Sequence, residues 1–161
     1  MREILFRGKR DYNNEWVYGS LIDFSFGKNT QMYIVEKISE YSLLSLSSSQ
    51  IIDRLKRKVI PETVGQFTGL TDKNGKSSFE GDRITFPRYI LGSKVEDVEA
   101  VVTFKNGSFG IEYEHDFWPL LQFTEPVEGS GHYVSNHGVV YDEYVSTFVV
   151  IGNIHDQKEQ S

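Results

Sequence analysis

The run from Ile60 to Ile84, IPETVGQFTGLTDKNGKSSFEGDRI, constrains the fold more than any other stretch, because it places a helix break and two tight turns within 25 residues. Pro61 has no amide to give to a ladder and pushes Ile60 toward extended geometry, so an element changes there. Val64 to Leu70 sets β-branched and aromatic residues between Gly65 and Gly69, which reads as a strand whose backbone bends or is closely approached. The polar cluster Asp72 to Lys76 contains an Asn74-Gly75 pair, the source of positive φ that a hairpin turn requires. Glu80, Gly81 and Asp82 form a second turn. Arg83 to Phe86 then resumes the alternation before Pro87, which closes the strand or places it at a sheet edge. Three short strands in so little chain predict a small, tightly coiled antiparallel sheet.

The remaining chain is punctuated like a β protein. Ile4 to Arg7, Trp16 to Asp23 and Met32 to Ile38 are strand-like runs separated by polar turns, predicting a three-stranded meander. Between Tyr41 and Lys58 the period changes. Ile51, Ile52, Leu55 and Val59 recur at helical spacing, Ser47 and Gln50 fit a capping box, and Arg54 to Lys58 suits a helix end. Val95 to Tyr113 predicts a hairpin around Asn106-Gly107, while Asp116 to Leu120 could open a brief helical turn. Pro126 to His137 reads as a long loop and a candidate contact surface, and Ser146 to Gly152 as a closing strand.

The stretch PETVGQFTGLTDKNGK followed by FEGDRI resembles the hallmark of the YopX family of phage and prophage proteins, and the terminal REILFRG and VVIGNIHD resemble that family's ends. The resemblance implies a phage-encoded, mostly β protein whose carboxy-terminal part is an SH3-like small β-barrel, without an established activity and without catalytic residues to carry over. The expected organisation is therefore mainly β with one short helix: an amino-terminal antiparallel meander with the helix over residues 1–60, the barrel over 61–152 and a polar tail over 153–161. That tail, ending in DQKEQS, departs from the acidic helix-like segment usual in the family.

At 161 residues the chain can bury a core without staples, and its 0 cysteines leave no disulfide framework and no thiolate nucleophile or ligand. The first residues, MREILFRGKR, lack an apolar signal core and no stretch approaches the ~20 apolar residues of a membrane span. These features predict a cytoplasmic product with no membrane contact, and the resemblance implies that the cell is a bacterial host. Charge is divided unequally. Residues 1–94 hold 15 Lys and Arg against 11 Asp and Glu, whereas residues 95–161 hold 2 against 12, within a net charge of −6. Such asymmetry can orient a partner or order head-to-tail self-association, making a homo-oligomer possible.

No reaction assembles from local spacing. His132 and His137 are five apart, which places them on opposite strand faces and makes a poor metal pair. Glu112, Glu114 and Asp116 would share one face of a strand with His115 opposite, an arrangement open to a hard cation but commoner as a solvated face. Asp72, Asn74 and Gly75 begin like a calcium loop, but the glycine comes too early and the bidentate glutamate is missing. No catalytic residue, metal or cofactor is expected, although groups brought together by folding could still form a hydrolase or nuclease site. The favoured reading is a non-catalytic interaction module presenting Tyr113, Phe117, Trp118, Tyr133, Tyr141 and Tyr144 to a phage or host protein. The alternative is a nucleic-acid-binding small barrel using Arg2, Arg7, Lys9, Arg10, Arg54, Lys56, Arg57 and Lys58, against which the overall acidity counts.

Overall fold

The structure is a computed structural model that describes residues 4–37, 44–136 and 138–156. It divides into two compact units, Met1–Phe67 and Thr68–Ser161. In both, the strands pair antiparallel and account for most of the regular structure.

In the first unit β1 (Phe6–Lys9), β2 (Trp16–Asp23) and β3 (Met32–Val35) form the expected meander, and β4 (Arg57–Val59) adds antiparallel to β3. Alternation along β2 buries Val17, which meets Ile34 of β3 and Val59 of β4 in the core, with Phe6, Leu21, Met32 and Val64 around them. Helix α1 (Ser48–Leu55) starts as its capping box requires: the Ser47 hydroxyl accepts from the Gln50 amide and the Gln50 side chain accepts from the Ser47 amide. It stops at Leu55 rather than continuing to Val59, which is a correction. Arg57 to Val59 must extend to pair with Met32 to Ile34, so Val59 keeps the apolar period but belongs to a strand. The chain then meets Pro61 and makes a 3-10 turn over Pro61–Thr63, where the Thr63 hydroxyl donates to Ile60 and accepts from the Lys9 amide.

Strand β5 (Gly65–Thr71) leaves the first unit and enters the second, where β6 (Ser77–Phe79) is its neighbour. In the turn between them only Gly75, at φ +81°, is left-handed, whereas Asn106 and Gly107 are both left-handed, at 53° and 79°, between β8 (Ser93–Lys105) and β9 (Ser108–Tyr113). The second is thus the two-residue turn anticipated; the first needs one glycine only. A five-stranded sheet has the order β10 (Asp116–Pro119), β9, β8, β7 (Asp82–Ile90), β15 (Val149–Asn153). Pro87 lies inside β7 opposite Asp97, beyond Thr85 where the pairing with β15 ends, so it occupies an edge and does not close the strand. Ile84, Phe86, Val102, Phe109, Ile111, Leu120, Phe148 and Val150 form the buried core of this unit.

Further differences concern the later chain. Asp116 begins a strand, and the 3-10 turn follows it at Leu120–Phe123. The loop expected over Pro126 to His137 is largely a β arm, described below. Asn153 is the buried end of β15 rather than the start of a polar tail; residues 157–161 lie outside the described residues. No closed barrel is formed by the described strands of the second unit.

Candidate interaction surface

The groups that could have made a reaction centre are separated or engaged. Glu114 and His115 are left-handed, at φ 51° and 73°, and turn the chain between β9 and β10, so Glu112, Glu114 and Asp116 do not line one continuous strand face. Glu112 pairs with Lys105, while Arg88 bridges Glu96 and Glu114 at 2.9 and 3.1 Å. Burial raises the Tyr113 phenol above its ordinary value and its hydrogen bond to Glu114 raises it further, so at neutral pH it stays protonated and donates a hydrogen bond to Glu114. His132 lies beside Tyr141 with ring centroids 5.9 Å apart; His137 lies outside the described residues. Among the described residues no cluster of three His, Asp or Glu could hold a metal.

The basic side chains are likewise committed. Arg10 pairs with Asp53 at 2.6 Å and stacks over Tyr12, Arg57 reaches Glu36 and Asp53, Arg54 reaches Glu36, and Lys58 reaches Asp11. Arg7 and Lys9 are buried, with their charges 4.6 and 5.0 Å from the centroid of the Trp16 ring. Arg2 lies outside the described residues. Of the described cations proposed for phosphates, Lys56 is the exposed one without such an ion pair, so no basic groove is assembled from this set.

A different surface stands out. Strand β11 (Thr124–Pro126) pairs with β14 (Tyr144–Ser146), and β12 (His132–Ser135) with β13 (Gly138–Tyr141). Hydrogen bonds from Val127 N to Glu143 O and from Asp142 N to Gly131 O join the two ladders into one two-stranded arm. Opposite residues of an antiparallel pair share a face, so Val134 and Val139 stand together, followed by His132 and Tyr141. Val134 is 76% exposed and Tyr133 59%, and Val139, Tyr144 and Val145 are also exposed. Tyr144 meets Tyr141 edge-on at 6.3 Å. Glu125, Glu128, Asp142 and Glu143 add negative charge, and no Lys or Arg occurs between Lys105 and Lys158. The arm is therefore apolar along its strands and acidic around them, and among the described strands neither of its ladders pairs with a third.

The six sequence-selected aromatics divide accordingly. Tyr113 packs edge-on against Phe86 at the core, Phe117 covers Gly110, and Trp118 is partly exposed with its indole N–H on the Tyr113 carbonyl. Tyr133, Tyr141 and Tyr144 belong to the arm. Sequence reading missed Val134, Val139 and Val145, for which the available signal was the short β-branched and aromatic runs Tyr133-Val134, Val139-Val140-Tyr141 and Tyr144-Val145.

The glycine-rich turn and the closing strand, far apart in sequence, meet in the second unit. The Asp82 carboxylate accepts from the Phe79 amide at 2.8 Å and the Asn153 side chain at 3.4 Å, and Ile154 N donates to Gly81 O. Similarly, Asp72 accepts from Asn74 and Lys76 within its turn and from Val150 N on β15. These joints explain why FEGD and GNIHD occur together as a structural pair. The YopX protein family matches residues 5–160. The chain belongs to the YopX family. This YopX chain is also similar to the crystal structure of protein EF1440 from Enterococcus faecalis, at 16% identity and a TM-score of 0.43, over 96% of this chain and 95% of that one. No curated protein matches it. The family hallmark is thus largely turn and joint chemistry in this YopX chain, and the exposed arm lies outside it.

Proposed function

We propose that this protein is a phage-encoded, non-catalytic interaction module that works in the bacterial host cytoplasm, with an SH3-like small barrel as its carboxy-terminal frame and the β11–β14 arm as its contact surface. The observation that carries the reading is the exposed Val134–Val139 pair on one face of a two-stranded element, with exposed Tyr133 on the other face. Apolar and aromatic side chains held on a strand lose little conformational entropy on docking, and free edges accept a further strand. The partner is a protein surface with an apolar cleft and a basic rim, which complements the carboxylates of the arm. In keeping with this, no helix among the described residues is long and apolar enough to cross a membrane.

The test places a photo-crosslinking residue at Val134 and, as a control, at exposed Lys73. The reading requires a defined protein adduct from position 134 that is absent from position 73 and is lost in Tyr133→Ala/Val139→Asp. Equal adducts from both positions would overturn it. So would micromolar, salt-sensitive binding of labelled single- or double-stranded nucleic acid that disappears when Arg54, Lys56, Arg57 and Lys58 are neutralised.

A further inference from the structure

The first unit carries a surface complementary to the arm. Ile22 of β2 lies opposite Tyr33 of β3, Phe24 meets Tyr33 edge-on at 5.8 Å, and Leu55 closes the last turn of α1 beside them. Together with Gln31 and Lys56 they line a groove of about 560 Å³. Phe24 is 65% exposed and Leu55 44%, so this apolar wall is open to solvent. Among the described residues that line it, the ionic one is the cation Lys56. The chain therefore has an apolar groove with a lysine at its edge in one unit and an apolar arm flanked by carboxylates in the other.

Resting on the reading of the arm as the contact surface, we propose that its partner is a second copy of this chain, whose β2–β3–α1 groove receives the exposed Val134–Val139 pair of the arm. Charge complementarity selects this occupant. Two arms facing each other would bring eight carboxylates together with no cation of their own, whereas an arm in the groove sets Asp142 and Glu143 against Lys56. Arm and groove are different patches, so the contact is heterologous. It closes as a dimer if two copies exchange arms reciprocally and otherwise propagates head to tail.

The test is the mass in solution, measured by light scattering across protein concentration. Wild type rises from monomer to dimer or beyond. Val134→Asp/Val139→Asp, which spoils the arm, and Leu55→Asp, which spoils the groove at an exposed position, each weaken self-association at least about tenfold, because both bury a charge at an apolar contact. Mixing them restores one good interface, an intact arm with an intact groove, and yields a one-to-one heterodimer that grows no further. Lys56→Glu supplies a milder variant: it weakens association, and mixing with Asp142→Lys/Glu143→Lys recovers it. Unchanged far-ultraviolet circular dichroism and melting temperature certify that each variant is folded. A monomeric wild type, a mixture that stays monomeric, or undiminished self-association in the arm variant overturns the proposal. If wild type is monomeric while position 134 still cross-links to another protein, the self-association fails and the arm reading stands.

Discussion

Asp72 offers the sharpest test of how the second unit is held together. It is 4% exposed and uses both oxygens: Oδ1 accepts from Asn74 N at 2.8 Å and Lys76 N at 2.9 Å, and Oδ2 accepts from Val150 N at 3.0 Å. One carboxylate thus shapes the β5–β6 turn and fastens it to β15. Asp72→Ala breaks all three bonds and leaves the Val150 amide buried without an acceptor. Taking about 1.5 kcal/mol for the buried charge-assisted bond and about 0.5–1 kcal/mol for each bond in the exposed turn, the loss is about 3 kcal/mol. At about 4–8 °C per kcal/mol for a unit of this size, melting falls by about 12–24 °C. Asp72→Asn keeps the shape but has one acceptor oxygen, so its NH2 must face either the turn amides or Val150; about 2 kcal/mol is lost.

The pH dependence carries the same signature. Burial pushes the Asp72 carboxyl up, but the Val150, Lys76 and Asn74 amides and the Lys76 charge outweigh it, and its pKa lies below the ordinary value. A depressed folded-state pKa means stability that is present above the unfolded value, about 3.9, and lost as pH falls through the folded one. The stability gap between wild type and Asp72→Ala should therefore be constant above about pH 5 and narrow below about pH 4. Urea unfolding across this range, with unchanged m values, gives both quantities. A loss below about 1 kcal/mol for Asp72→Ala, or an Asp72→Asn variant as stable as wild type, would refute the joint.

Two further outcomes are expected. Gly75→Val meets no atom within 4 Å but must hold φ near +81°, so it should cost on the order of 1 kcal/mol or more without a packing clash, with Gly75→Asn milder; unchanged stability with lost partner binding would make the turn a recognition element instead. Chelation should leave the melting temperature unchanged, since a bound ion would stabilise by mass action; a fall reversed by a single cation would place an ion on the carboxylates around Glu112 and Glu114.

What was legible in the sequence was local. The Ser47–Gln50 capping box, the Asn106-Gly107 turn and the strand-like run of β2 each rest on residues a few positions apart, and each is present as read. The period of α1 misled at Val59 because a helical repeat of four continues smoothly into a strand whose first inward residue falls on the same count. The arm was hidden differently. Gly129, Gly131 and the polar residues of 126–137 carry loop chemistry, and the ladder that overrides it is completed by β13 and β14 further along. The Asp82–Asn153 joint spans 71 positions and had no local signal beyond the co-occurrence of two motifs.

Charge shows why the candidate surface needed three dimensions. The amino-terminal part is the more basic by count, yet Asp11, Glu36 and Asp53 neutralise Lys58, Arg54, Arg57 and Arg10 within 4 Å, leaving little positive field for a polyanion. The arm has no internal cation, so Glu125, Glu128, Asp142 and Glu143 keep theirs. A Debye length of about 8 Å at physiological salt screens that field beyond the nearest neighbours. On the proposed reading, the acidity of the arm would govern encounter rate and disfavour acidic partners, while affinity would rest on the exposed Val134–Val139 pair, whose burial salt scarcely affects.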